Sequence, residues 1–128
     1  MRSGWGNGEM WDEYVRFRPR FAEAMDGRLY PIEYLDALVW SGRAQFLSEE
    51  DSAIVFEAKT YPSGALAVEG VIAAGELDGI RKLIAKAEAW GRAHGAIIAK
   101  IDSRSGWVRT LKGDGYAMFQ TSLVKELN

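Results

Sequence analysis

The chain has 128 residues, 48% of them hydrophobic and 27% charged, with sixteen basic against eighteen acidic side chains and a formal net charge of −2. That size predicts a single domain over residues 1–128, and the near-neutral balance directs it neither to nucleic acid nor to a membrane surface. Cysteine is absent and His94 is the single histidine, which excludes disulfides, thiolate chemistry and cysteine-ligated metal and predicts no metal site of the usual zinc kind.

The opening "MRSGWGNGEM" has no apolar run of secretory-signal length, and "SGWGNG" predicts a flexible arm over residues 1–9. Trp11, Tyr14, Val15, Phe21 and Met25 then recur at roughly helical spacing up to Asp26-Gly27, with Pro19 expected to kink or divide the element. "PIEYLDALVWSG" predicts a second helix: Pro31 suits its first turn, Leu35, Leu38 and Val39 line one side, and Gly42 stops it. After Gly42 the periodicity changes. "AQFLS" and "SAIVFEAKTY" read as strands, "YPSG" (Tyr61 to Gly64) as a hairpin turn, and "ALAVEGVIAA" as the partner strand, so strands fall within 43–73. The most apolar stretch, "ALAVEGVIAAG", is too short to span a bilayer and contains Glu69. A soluble, cytoplasmic protein is expected.

A long helix is expected from about Leu77 to His94, with Ile80, Leu83, Ile84, Ala87 and Gly91 on one face at steps of three and four. "GAIIAKID" then predicts a strand, "SGWVRTLKGDG" a short helix with a glycine stop, and "AMFQTSLVKEL" a closing strand. This order predicts an α/β (α+β) layer: a mixed sheet flanked by helices, antiparallel early and parallel around the long helix.

The order, together with "EAWGRAHGAIIAKID" and "GWVRTLKGDGY", resembles the GCN5-related N-acetyltransferase (acyl-CoA N-acyltransferase) superfamily over roughly Ala53 to the C-terminus. More narrowly, "SGRAQ", "TYP", "AAGELD", "GWVRTLK", "GY" and "VKEL" resemble a set of short phage- and prophage-encoded proteins with this fold. The resemblance implies that the bend before the long helix holds the pyrophosphate of acyl-CoA, a co-substrate rather than a covalent cofactor, on backbone N–H groups. Gly75, Leu77, Gly79, Ile80 and Arg81 are the residues it points to. The family pattern, Gln/Arg-x-x-Gly-x-Gly/Ala, is incomplete in both registers: one reads Gly75, Asp78 and Ile80, the other Glu76, Gly79 and Arg81. Each puts an acidic residue in the cradle. Asp78 reads first as an N-cap, worth about 1 kcal/mol.

The resemblance also implies a strand glutamate that deprotonates the incoming amine and a tyrosine in the short helix that protonates the departing thiolate. Glu69, or Glu57 on the strand expected to pair with it, answers to the first. Leu111 falls at the tyrosine's place and can donate no proton; the nearby hydroxyl is that of Tyr116, at a packing position. Glu69 and Tyr116 are therefore the catalytic candidates.

Other clusters have bland readings. His94 suits a helix C-terminus. Arg104, Trp107, Arg109 and Lys112 form a basic-aromatic group that reads as a solvated face with Trp107 in the core. Arg16, Arg18 and Arg20 in "RFRPR" lack a surrounding nucleic-acid motif. Five tryptophans, Trp5 and Trp11 among them, exceed what so small a core needs and suggest a protein partner or homodimer. Two functions stay open: an N-acyltransferase moving an acyl group from acyl-CoA to an amine with a degenerate cofactor motif, or a non-catalytic, phage-derived protein-binding or assembly module on the same fold.

Overall fold

A computed structural model of the chain describes residues 7–102, 107–120 and 123–127. In chain order the elements are α1 (Asn7–Ala24), α2 (Ile32–Trp40), β1 (Gln45–Glu49), β2 (Ser52–Thr60), β3 (Leu66–Ala74), α3 (Leu77–Ala93), β4 (Ile98–Lys100) and α4 (Val108–Gly113). The four strands form one sheet in the order β1-β2-β3-β4. The first two pairings are antiparallel and β3–β4 is parallel, the crossover being α3.

α1 buries Met10, Tyr14, Phe17 and Phe21, a four-three-four spacing that lays one stripe along the helix. The expected face was out of phase in part: Val15 is exposed, and Met10 and Phe17 take its place. Pro19 does not divide the helix. It removes one amide donor, the one that would bond the Val15 carbonyl, and that carbonyl lies on an exposed turn where water can serve it. Asn7 to Glu9 are helical rather than part of an arm; Trp5 lies outside the described residues. α2 buries Leu35, Leu38 and Val39, and Gly42 (φ 79) receives the chain as the helix ends.

β2 is buried on both sides from Ser52 to Phe56. Val55 joins Tyr14, Phe17, Phe21, Leu35 and Phe46 under α1 and α2. Ile54 and Phe56 face the other way and join Val68, Ile80, Leu83 and Ala87 under α3. The buried face of α3 matches the expected stripe, with Ile84 at its edge. The hairpin turn closes with Gly64 N donating to Tyr61 O at 2.8 Å.

The closing strand is not formed by the described residues of the "AMFQTSLVKEL" segment. Its apolar side chains stand in solvent, from 66% exposed at Met118 to 92% at Leu123. β4, the strand at that edge of the sheet, is itself only three residues long. Glu126 instead reaches the α1–α2 loop, where it accepts from Arg28 Nη1 at 2.7 Å. Phe119 lies by Lys100, whose ammonium is 5.9 Å from the ring centre.

Candidate active site

The site is a fork in the sheet. β3 and β4 pair only from Ala67↔Ile98 to Glu69↔Lys100. Just past that point β3 carries a bulge: Phe56 pairs with Gly70 and Val55 with Ile72, so Val71 has no partner on β2. A bulge bends and overtwists its strand, and here the bend sits where β4 parts from β3. The parted strands open a cleft of about 1200 Å³. One wall is Ile80, Ile84 and Ala87 of α3 with Trp107 and Tyr116; the other holds Arg20, Glu23, Tyr30 and Tyr34 from the α1–α2 side.

Glu69 stands in the crotch of this fork. Glu57 lies directly across from it on β2, as the turn between them predicts, and Lys100 beside it on β4. Tyr61 donates its O–H to Glu69 Oε2 in a very short contact. Lys100 Nζ donates to the Tyr61 oxygen at 3.0 Å and lies 3.9 Å from Glu69. The bond to the phenol, and then the Glu69 charge, push the Lys100 ammonium above its usual range. Sequence reading missed Tyr61 and Lys100. The residues are 39 apart, and only the β3–β4 register brings them together; the available signal was the tight turn that returns the chain at Tyr61.

The bend before α3 is built by packing. Gly75 has φ +106, and a Cβ there would lie 1.9 Å from Asp51 O; one on Gly79 would lie 2.2 Å from Ser52 Oγ. Both glycines let the first turn of α3 seat on the β1–β2 turn, where Ser52 Oγ donates to Glu76 O at 3.0 Å. The expected Asp78 cap is not made. Glu76 is the N-cap residue and gives no side-chain cap bond, while Asp78, one residue into the helix, is 92% exposed and 3.8 Å from Arg81. An extended backbone at Glu76 (φ −74, ψ 136) starts the helix earlier than the Asp-x-x-Arg signal suggests. The first-turn amides of Leu77, Asp78 and Gly79 thus have no side-chain cap. Ile80 N is already used, donating to Glu76 O at 2.9 Å.

Arg81 grips Asp114, just past α4, with Nε 2.8 Å from Oδ2 and Nη2 2.7 Å from Oδ1. The hydrogen bonds hold the Asp114 carboxyl below its usual range. Of the residues singled out from sequence, Gly75, Ile80, Glu69 and Tyr116 line the cleft, and Leu77, Gly79 and Arg81 do not. Tyr116 donates to Glu88 Oε2 at 2.6 Å. Burial first, then the Glu88 carboxylate, push its phenol well above the ordinary value. Leu111 is buried, 4% exposed, under the same turn.

The remaining clusters resolve into structure. Arg16 pairs with Glu13 and donates to Glu50 O; Arg18 grips Asp36; Arg20 donates to Asp51 O. "RFRPR" is therefore a clamp between α1, α2 and the β1–β2 turn. His94 is the C-cap of α3, with Nδ1 2.7 Å from Trp90 O and its ring stacked on Trp90. Trp107 packs against the α3-side core, Arg109 and Lys112 are exposed, and Arg104 lies outside the described residues. Trp11 packs on the α1-side core with Trp40 edge-on at 5.0 Å. Among the described residues no cluster of His, Asp or Glu could hold a metal, and no helix is long and apolar enough to cross a membrane.

No family model matches the chain, and no curated protein matches it by sequence. Solved structures do match. An acetyltransferase of Trypanosoma brucei superposes with a TM-score of 0.67 at 9% identity, covering 96% of each chain. Glucosamine-6-phosphate N-acetyltransferase of Arabidopsis thaliana gives 0.60 at 8% identity, covering 97% of this chain and 95% of its own. Ribosomal-protein-alanine N-acetyltransferase of Brucella melitensis biovar Abortus gives 0.60 at 15% identity, covering 91% and 92%. At these identities the likeness is one of fold: the chain has the acyl-CoA N-acyltransferase fold, a four-stranded mixed sheet flanked by helices.

Proposed function

We propose that the protein transfers an acyl group from acyl-CoA to an amine in the β3–β4 cleft. The observation that carries this reading is the fork itself: a bulged strand, parted from its parallel neighbour, with a carboxylate in the crotch and a helix start at the rim. The helix start supports the cofactor end. Its uncapped amides at Leu77, Asp78 and Gly79 and its partial positive charge suit phosphate oxygens, while Gly75 lets the chain turn closely there. Glu76 and Asp78 oppose that charge, and Arg81 is engaged by Asp114. Phosphate would therefore rest on main-chain donors with little help from side-chain cations, which predicts weak cofactor affinity. The apolar wall of Ile80, Ile84, Ala87 and Trp107 suits the pantetheine arm.

The amine enters from the α1–α2 side. Its nitrogen attacks the thioester carbonyl, the C–N bond forms and the C–S bond breaks. Glu69 accepts the ammonium proton, directly or through water, and its hydrogen bond from Tyr61 fixes the carboxylate plane. The departing thiolate takes a proton from Tyr116, which retains its own at neutral pH. Positioning and desolvation carry most of the rate in such a reaction.

A second reading, a non-catalytic protein-binding or assembly module of the phage-encoded kind, is favoured by buried Leu111 at the proton donor's place and by the exposed apolar side chains from Met118 to Leu127. Thermal melting with millimolar acetyl-CoA separates the two. A ligand at about a hundred times its dissociation constant stabilises a fold by roughly 2.7 kcal/mol. A rise in melting temperature supports transfer; no rise overturns it. Size-exclusion chromatography showing self-association that weakens in Trp11→Ala supports the module.

A further inference from the structure

The described lining of the cleft carries an excess of carboxylates, and that excess selects the acceptor. Among the described residues eight carboxylates line the cleft against two cations, Arg20 and Lys100, an excess of six negative charges among these lining groups. Some of these groups are satisfied within the fold. Asp26 is held by Arg28, whose hydrogen bonds put its carboxyl at about 2; Glu88 accepts from Tyr116; Glu69 accepts from Tyr61. Among the described residues no ion pair joins Glu23, Glu57 or Asp102. Glu57 shares its sheet face with Glu69 by register, and Glu23 comes from the last turn of α1.

The cations present are committed. Arg20 donates to Asp51 O, and Lys100 donates to Tyr61 and pairs with Glu69 at 3.9 Å. At the same mouth Tyr30 and Tyr34, each about half exposed, stand with ring centres 5.4 Å apart. Two exposed rings lining the same cleft as carboxylates that have no ion pair attract an ammonium group through their faces, as the carboxylates do through charge. A walled cavity of one sign also raises the local concentration of the opposite sign, and it repels acceptors that carry phosphate or carboxylate.

Resting on the acyl-transfer reading, we infer that the acceptor is a small linear alkylamine with two or more positive charges. One amine presents to Glu69 in the fork, and a second is held by Glu57, Glu23 and the Tyr30–Tyr34 pair.

The test is calorimetric titration of the full chain with spermidine, without acyl-CoA, at low and at physiological salt. Saturable binding that weakens as salt rises is expected, with butylamine binding at least tenfold more weakly and glutamate not at all. In a Glu23→Gln/Glu57→Gln double variant, binding should fall roughly tenfold. Glu9→Gln, an exposed change on α1 outside the cleft, should leave it unaltered. Tyr34→Ala, which alters no carboxylate, should weaken it about threefold. Equal binding of butylamine and spermidine, or binding indifferent to the double variant, would overturn the inference. If spermidine binds while acetyl-CoA fails to raise the melting temperature, the acyl-transfer reading falls and the anionic, cation-binding cleft stands. If acetyl-CoA binds and spermidine does not, the reverse holds.

Discussion

Gly75→Ala tests how the bend is held. A Cβ there would sit 1.9 Å from Asp51 O and 2.7 Å from Ser52 Cα, where real Cβ atoms stay beyond 3.0 Å, so the bend or the turn must retreat by about 1 Å. Both obstacles are backbone, and no rotamer relieves them. The φ of +106 adds strain for any residue with a Cβ, about 1–2 kcal/mol, and overpacking a seated contact adds about 1–3 kcal/mol. Together they predict a loss of about 2–5 kcal/mol. Gly64→Ala supplies the control: its φ is +89 and nothing lies within 4 Å of the added carbon, so it should cost the strain alone. Urea unfolding of both variants reads the difference. With a slope of about 1–3 kcal/mol per molar for a small protein, the Gly75 variant should shift the midpoint by about 0.7–5 M, and clearly more than the Gly64 variant. Equal shifts with unchanged slopes would refute the claim that α3 is seated on the β1–β2 turn through Gly75.

Tyr116→Phe leaves Glu88 without its donor and should cost about 1–2 kcal/mol of stability; in an acetyl-CoA transfer assay it should lower kcat about a hundredfold with KM little changed. Leu111→Ala opens a cavity beneath α4 and should cost about 2–4 kcal/mol in the same urea titration. Asp36 is held below the ordinary carboxylate range chiefly by Arg18, with help from Tyr14 and against its own burial. Its contribution is therefore present above the unfolded value of about 4 and lost as pH falls through the folded one. Wild type should exceed Asp36→Asn in stability at pH 7, and the gap should narrow as pH is lowered past the ordinary carboxylate value of about 4; a gap that stays constant would remove Asp36 as its source.

Local pattern carried most of the architecture. The step of three and four from Ile80 to Gly91 placed α3 and its buried face, and the proline-glycine turn at Tyr61–Gly64 placed the hairpin that carries Glu57 and Glu69. Pattern failed where another effect outweighed it. Val15 looked as apolar as Phe17, yet the sheet beneath α1 could take only one stripe, and the aromatic residues won it. Asp78 had the composition of a cap, but the seat of Gly75 and Gly79 on the neighbouring turn began the helix at Leu77. The tail had the alternation of a strand, and its described residues form none. The site was legible as a place and obscure as chemistry. Tyr61, Lys100, Tyr30 and Tyr34 reach the cleft only through pairings between distant segments, and the grip of Arg81 on Asp114 spans 33 positions.

The unpaired Val71 also fixes which side chains meet which helix. Before it, odd-numbered residues of β3 look toward α1; after it, Ile72 and Ala74 do so. Removing Val71 alone would thus leave every remaining side chain on its present face and both hydrophobic layers intact, while straightening the strand against its parallel neighbour. One codon's deletion would separate the scaffold from its opening: a protein that folds, with the fork zipped shut.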